Sequence, residues 1–147
     1  MLLDVTSEKI FMGKLTHGSD LLEELTRICH EKQLTAGWIE ALGAVQKARI
    51  GYYDQIVQQY RYVDLDMHLE ITHLVGNISL KDGQPFVHAH VTFADEAGRA
   101  FGGHLAPGTI LFAGEVLIRS FASTGLQRGL DAETGLFLWQ EKGQTMG

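Results

Sequence analysis

The sequence predicts an α+β fold: a mainly antiparallel, barrel-like β-sheet with one principal helix packed on it. Three observations carry this. One early segment repeats its apolar residues at helical spacing, seven or more runs read as strands, and hairpin turn signals crowd the second half.

The elements follow in order. Ile10 to Leu15 reads as a first strand. His17-Gly18-Ser19-Asp20 then resembles a helix entry, where Ser19 or Asp20 can cap free amide N–H groups and Glu23 and Glu24 suit the positive end of the helix dipole. Leu21, Leu22, Leu25, Ile28 and Cys29 form one apolar face, which predicts a helix from about Ser19 to Gln33 with Gly37 as a stop. Trp38 to Val45 and Ala48 to Tyr53 are strand-like, with bends or close backbone approach expected at Gly43 and Gly51. Ile56 to Tyr62 is mixed, and Leu65 to Leu80 is one long strand or two joined near Gly76-Asn77. Asp82-Gly83 marks a hairpin turn into Phe86 to Phe93, which alternates cleanly. Asp95 to Gly98 turns the chain again, Ala100 to Leu105 returns, Pro107-Gly108 makes a third turn, and Ile110 to Phe121 is another strand. Phe137 to Gln140 is a short apolar piece able to close the sheet.

Size and composition agree with one domain spanning residues 1–147. A chain of 147 residues can bury a real core without disulfides. The tail from Glu141 to Gly147 is polar and is expected to be flexible. The one cysteine, Cys29, excludes an internal disulfide and a cysteine-rich zinc site, and its place on the apolar helix face marks it as core rather than nucleophile. No apolar run approaches the ~20 residues that cross a bilayer, and the N-terminus lacks the basic flank of a signal peptide, so no membrane partner and a cytoplasmic location are expected. The formal charge is −6, and the twelve Lys and Arg are scattered with no two adjacent. That does not support holding DNA through its phosphates, which needs a concentrated positive surface.

The candidate site is a histidine set. Side chains alternate along a strand, so Phe86, His88, His90 and Thr92 share one face and Val87, Ala89, Val91 and Phe93 share the other, core-facing one. His88 and His90 can therefore converge on one metal ion. His104 lies beyond the Asp95–Gly98 turn; a hairpin would bring it to the neighbouring strand, and Gly102-Gly103 before it let the backbone bend. Three protein ligands with an open position are the arrangement of catalytic zinc. Two half-exposed strand histidines and a loop histidine are the plainer alternative at this point. Glu70 and Glu115 both lie inside apolar runs, where each either serves a site or points to solvent; His68 and His73, flanking Glu70, read as ordinary surface residues. There is no Gly-x-Ser-x-Gly elbow and no phosphate loop.

These residues resemble a known family. Pro85 to Phe93, Gly102-Gly103-His104-Leu105 and Gly114-Glu115-Val116 are similar to the plant-and-prokaryote-conserved (PPC) domain of the stand-alone prokaryotic type. Gly18-Ser19-Asp20-Leu21-Leu22, Ala41-Leu42-Gly43-Ala44 and Gly51-Tyr52-Tyr53-Asp54 agree, so the resemblance covers about residues 8–122. It implies a β-sheet domain with a helix, assembled as a homotrimer. Plant members bind DNA through separate AT-hooks and contact partners through Gly-Arg-Phe-Glu-Ile-Leu; here that stretch reads Met67-His68-Leu69-Glu70-Ile71-Thr72 and no hook is present. The DNA-binding label common among prokaryotic members therefore reads as borrowed. The fold is also similar to α-acetolactate decarboxylase, a metalloenzyme whose zinc is held by histidines, which implies zinc or another divalent transition metal on His88, His90 and His104. Glu115 matches a frequent PPC glutamate and is preferred to Glu70 as the catalytic carboxylate. Three functions are expected to compete: a homotrimeric metal-dependent enzyme on a small oxygenated molecule, a DNA-associated protein, and a non-catalytic trimeric interaction module.

Overall fold

The computed structural model describes residues 2–122 and 126–140. The expected flexible tail, 141–147, lies outside the described residues. The element order is β1 (Thr6–Lys14), α1 (Leu21–Glu31), β2 (Gly37–Asp54), β3 (Gln59–Leu65), β4 (Leu69–Lys81), β5 (Gln84–Ala94), β6 (Ala100–Leu105), β7 (Ile110–Ala122), β8 (Gln127–Leu130) and β9 (Phe137–Trp139). The α+β class is as expected: one helix lies on a mainly antiparallel sheet.

The helix starts where its cap dictates. Asp20 accepts from the N–H groups of Leu22 and Glu23, so the acid rather than Ser19 is the N-cap. Leu21, Leu25 and Cys29 are fully buried and pack into the main core; full burial of a Leu side chain contributes ~1.5–3 kcal/mol. Glu24 does more than meet the dipole. It is buried, bonds Thr16 and Arg27, and its carboxyl is held down at about 2, chiefly by the Arg27 hydrogen bonds. The helix ends well before Gly37, because Gln33 itself takes the left-handed conformation (φ 54°) and Leu34 N–H closes onto the Cys29 carbonyl.

The sheet runs β1-β7-β2-β6-β5-β4-β8-β9, with β3 also on β2. The two strand-like runs expected around residues 38–53 are one continuous strand, β2, bulged near Gly43 and Val45. Its first half pairs with β4 on one side and β7 on the other; its second half pairs with β3 and, through Ile50 and Gly51, with β6. The path β2–β4–β5–β6 thus returns to a different part of β2. This local closure is the barrel-like part of the expected fold; the sheet is not a true barrel, because β1 and β9 stand at its two ends. The terminal apolar piece adds to one end of the sheet through β8 instead of closing it. β4 is unbroken at Gly76-Asn77, since both its edges are hydrogen-bonded there, to β2 and β5. Asp82 (φ 53°) and Gly83 (φ 74°) make the β4–β5 turn with both central residues left-handed, the geometry that matches strand twist.

The core lies between α1 and the sheet, built around Phe93, Leu74, Ile39, Leu111 and Ile118. β5 separates it from the site. Val87, Ala89, Val91 and Phe93 are buried, while His88 is half-buried and His90 exposed, as their alternation requires. Among the described residues, no helix is long and apolar enough to cross a membrane.

Candidate metal centre

Strand register assembles the three histidines. His88 and His90 are two residues apart on one face of β5. His90 is the direct cross-strand partner of His104 on β6, and directly paired residues point the same way. The ring centroids form a near-equilateral triangle: 5.2 Å from His88 to His90, 5.1 Å from His88 to His104 and 5.6 Å from His90 to His104. One ring nitrogen from each lies within 4.8 Å of the other two. The glycines before His104 act differently from expectation. Gly102 and Gly103 continue a regular strand without bending it, and Gly103 lets the β2 backbone approach: a Cβ there would sit 2.8 Å from the Gly51 carbonyl oxygen.

Gly51 opens the other side. It pairs with His104 on β6 and with Tyr62 on β3, and its missing side chain leaves space for the Tyr60 ring, which lies 4.9 Å from the His104 ring. Tyr60 also contacts Tyr53 (5.1 Å) and stacks near Tyr62 (6.0 Å). Burial raises its phenol above the usual range, so the hydroxyl stays protonated.

A further group sits above β4. Arg128 on β8 is buried, donating to Ser79 Oγ (2.7 Å), Asn77 Oδ1 (2.8 Å) and the Phe137 carbonyl oxygen (2.7 Å). Asn77 is the cross-strand partner of His88, which places Arg128 beside the triangle. The sequence carried no local sign of Arg128 or Tyr60. Arg128 reaches the site through the pairing of β8 with β4, and Tyr60 through a β2–β3 hairpin that the pairing of β2 with β6 sets against His104.

The electrostatics favour neutral rings. Burial, then the neighbouring His104, Arg128 and His90, lowers His88 to about 4. Burial, then His90 and Arg128, lowers His104 to about 4. Both imidazoles therefore keep a lone pair free at neutral pH, the form that ligates metals. His104 Nδ1 is buried with no hydrogen-bond partner among the described residues. A buried polar atom without a partner is costly, and a metal ion would satisfy it. The donor set fits a divalent transition metal such as zinc, for which imidazole is a favoured ligand.

Within one chain, Glu115 does not join this triangle. It is exposed on β7, pairs in register with Lys14 and Leu42, and lines a separate cavity of about 630 Å³ with Met12, Glu40 and His73. Glu70 and His68 line a second cavity, of about 560 Å³, with Asp95. Cys29 is core, as expected, with burial pushing its thiol up to about 12.

Comparison with known proteins gives a consistent picture. Residues 3–122 match the model of the Plants and Prokaryotes Conserved (PCC) domain. The solved metal-containing protein AF0104 of Archaeoglobus fulgidus is 39% identical, with a TM-score of 0.91, over 96% of this chain and 99% of that one. A plant- and prokaryote-conserved protein of Pyrococcus horikoshii is 30% identical, with a TM-score of 0.89, over 96% and 98%. The bifunctional protein GlmU of Synechococcus sp. (strain JA-2-3B'a(2-13)) is 34% identical over 131 residues, and this chain spans only 20% of its length. Acetolactate decarboxylase of Bacillus subtilis shares the fold alone: TM-score 0.54 at 16% identity, over 79% of this chain and 53% of that one. Structures from Bacteroides thetaiotaomicron and Ralstonia eutropha, which carry provisional DNA-binding labels, are 22% and 24% identical and likewise show the fold. On the family model and the likenesses to the Archaeoglobus and Pyrococcus proteins, the chain belongs to the Plants and Prokaryotes Conserved domain family.

Proposed function

We propose that this chain holds a divalent transition metal, zinc foremost, on His88, His90 and His104, and works as a homotrimeric metal-dependent enzyme on a small oxygenated molecule. The observation that carries the reading is the convergence of one ring nitrogen from each of the three histidines; beside it, the buried Nδ1 of His104 has no hydrogen-bond partner among the described residues. The likeness to a metal-containing archaeal protein at 39% identity supports it. A bound metal of this kind polarises a carbonyl or lowers the pKa of a bound water. The chain's own residues supply the rest. Burial keeps His88 and His104 in the ligating form. Tyr60, against His104, offers a protonated hydroxyl for a developing negative charge.

The trimer has support on the outer face of β1, β7 and β2. Register aligns Ile10 with Arg119 and Trp38, Met12 with Leu117 and Glu40, and Lys14 with Glu115 and Leu42. Ile10, Met12 and Leu42 are exposed by 60, 81 and 56%, an apolar patch of the kind that copies of a chain cover. Glu115 lies on that face. It serves as a proton carrier at the histidines only where a neighbouring copy brings it there, and a cytoplasmic setting suits the single buried thiol of Cys29.

The test is metal analysis of the purified chain and of the His88→Ala, His90→Ala double variant, with light scattering for the oligomer. About one metal per chain in the wild type and less than a tenth of that in the variant is expected. Unchanged metal content in the variant would remove the site assignment. The DNA-associated reading has a formal charge of −6 and scattered Lys and Arg against it; it requires salt-dependent retardation of duplex DNA near physiological ionic strength. The interaction-module reading requires a metal-free trimer that survives chelators.

A further inference from the structure

Arg128 is a buried cation with, among the described residues, no anion to pair with. Its guanidinium has five N–H donors, and three are used, on Ser79, Asn77 and the Phe137 carbonyl oxygen. All three acceptors are neutral. Among the described residues no carboxylate pairs with it or with the exposed Arg119, whereas Arg27 pairs with two and Arg49, Arg61 and Arg99 with one each. Burying an unpaired charge costs several kcal/mol, so a chain that fixes an arginine this way gains most when an anion arrives.

The surroundings say where that anion would sit. The guanidinium lies 5.3 Å above the Phe86 ring and 5.9 Å from the Trp139 ring. Phe86 is two residues from His88 on the same face of β5, and Asn77 lies directly across from His88. Lys81 adds a second positive charge, 5.7 Å from the Phe86 ring and 3.8 Å from that of Phe137. Charge balance points the same way. Three neutral imidazoles leave a dication uncompensated, and Arg128 increases the positive excess at the site.

We propose that Arg128, held by Asn77, Ser79 and the Phe137 carbonyl, is an oxyanion subsite beside the three histidines, so that the ligand of the centre is a small molecule bearing a carboxylate or a phosphate. A planar guanidinium with free N–H groups matches both oxyanions, and the shared chemistry is an oxygen pair accepting charge-assisted hydrogen bonds. Linking this subsite to the substrate rests on the metal-centre reading above; anion binding at Arg128 does not.

The experiment is NMR titration of the full-length protein, chelator-treated and zinc-loaded in parallel, following the Arg128 Nε–H resonance. Sodium acetate and inorganic phosphate are the probes, with sodium chloride at matched ionic strength as reference. The expected result is a saturable shift with acetate, phosphate or both, and none with chloride; the tighter of the two identifies the ligand class. Arg128→Met should weaken that binding about tenfold or more, measured by calorimetry. Arg128→Lys, which keeps the charge and loses the fork, should weaken it severalfold and covers the case in which the Met variant fails to fold. Acetate and phosphate acting no differently from chloride, or binding unchanged in the variants, would overturn the subsite. Zinc content, read separately by mass spectrometry, keeps the two questions apart: anion binding without any zinc uptake sinks the metal reading and supports the subsite.

Discussion

Removing His104 should take away most of the response of the protein to zinc while leaving the fold in place. The magnitude follows from the site. Metal–nitrogen bonds of about 2.0–2.1 Å in a tetrahedron require ligand nitrogens about 3.3–3.4 Å apart. The three ring nitrogens already lie within 4.8 Å of one another, so closure needs side-chain rotation of roughly 1.5 Å or less and no strand movement. Such a preformed site binds the folded state selectively. At free zinc a hundred times its dissociation constant, linkage contributes about 2.7 kcal/mol. At about 2–4 °C per kcal/mol for a chain of this size, Tm should rise by about 5–11 °C. The assay is differential scanning calorimetry of chelator-treated protein against added zinc, wild type beside His104→Ala. Wild type should show the rise, and the variant should lose most of it while melting cooperatively. Equal zinc shifts in the two proteins would refute the assignment, because His104 supplies, among the described residues, a buried ring nitrogen lacking a partner.

Three further predictions follow from the same geometry. The metal-free protein should lose stability as pH falls from about 6.5 to 4: in that window the unfolded chain protonates the imidazoles of His88 and His104 while the folded chain, with both held at about 4, does not. Urea midpoints across the window check the sign, and the His88→Gln, His104→Gln variant should show a shallower fall; an identical slope would contradict the assignment. Gly51→Ala should destabilise by about 1 kcal/mol and move the His104 ring-proton resonances, since the new Cβ would lie 3.1 Å from Tyr60 Cδ1 and 3.5 Å from His104 Cβ; unmoved resonances would argue against the Tyr60–His104 contact. Asp20→Ala should cost about 1–2 kcal/mol in denaturant unfolding, because its carboxylate also accepts from the Gly108 N–H and so ties the helix start to the β6–β7 turn; a loss under about 0.3 kcal/mol would contradict that double role.

How much of this was legible in the sequence depends on how local the cause is. The period-two alternation of β5 is local, so the sorting of His88 and His90 from Val87 and Val91 could be read directly. The hairpin that sets His104 against His90 was legible through the Asp95–Gly98 turn. The helix was legible too, although its end moved, because a glutamine adopted the left-handed position that usually calls for glycine. Long-range pairing was not legible. Arg128 reaches Asn77 across 51 residues through a short parallel pairing of β8 with β4, and no spacing rule announces such a contact. Tyr60 sits in a run without clear periodicity; it folds back on β2 in a local hairpin, and the long-range pairing of β2 with β6 sets it beside His104. Glu115 shows the converse. Its apolar neighbours marked it as special, but the strand order places β2 and β6 between β7 and β5, so sequence context alone could not locate it relative to the histidines.

The most direct test of the central claim is X-ray absorption at the zinc edge of the zinc-loaded protein. The account predicts three imidazole nitrogens at about 2.0–2.1 Å, with the multiple scattering of histidine rings and one further light ligand. The imidazole count should fall by one in His88→Ala. A spectrum without imidazole scattering, or one unchanged in that variant, would contradict a centre built on His88, His90 and His104.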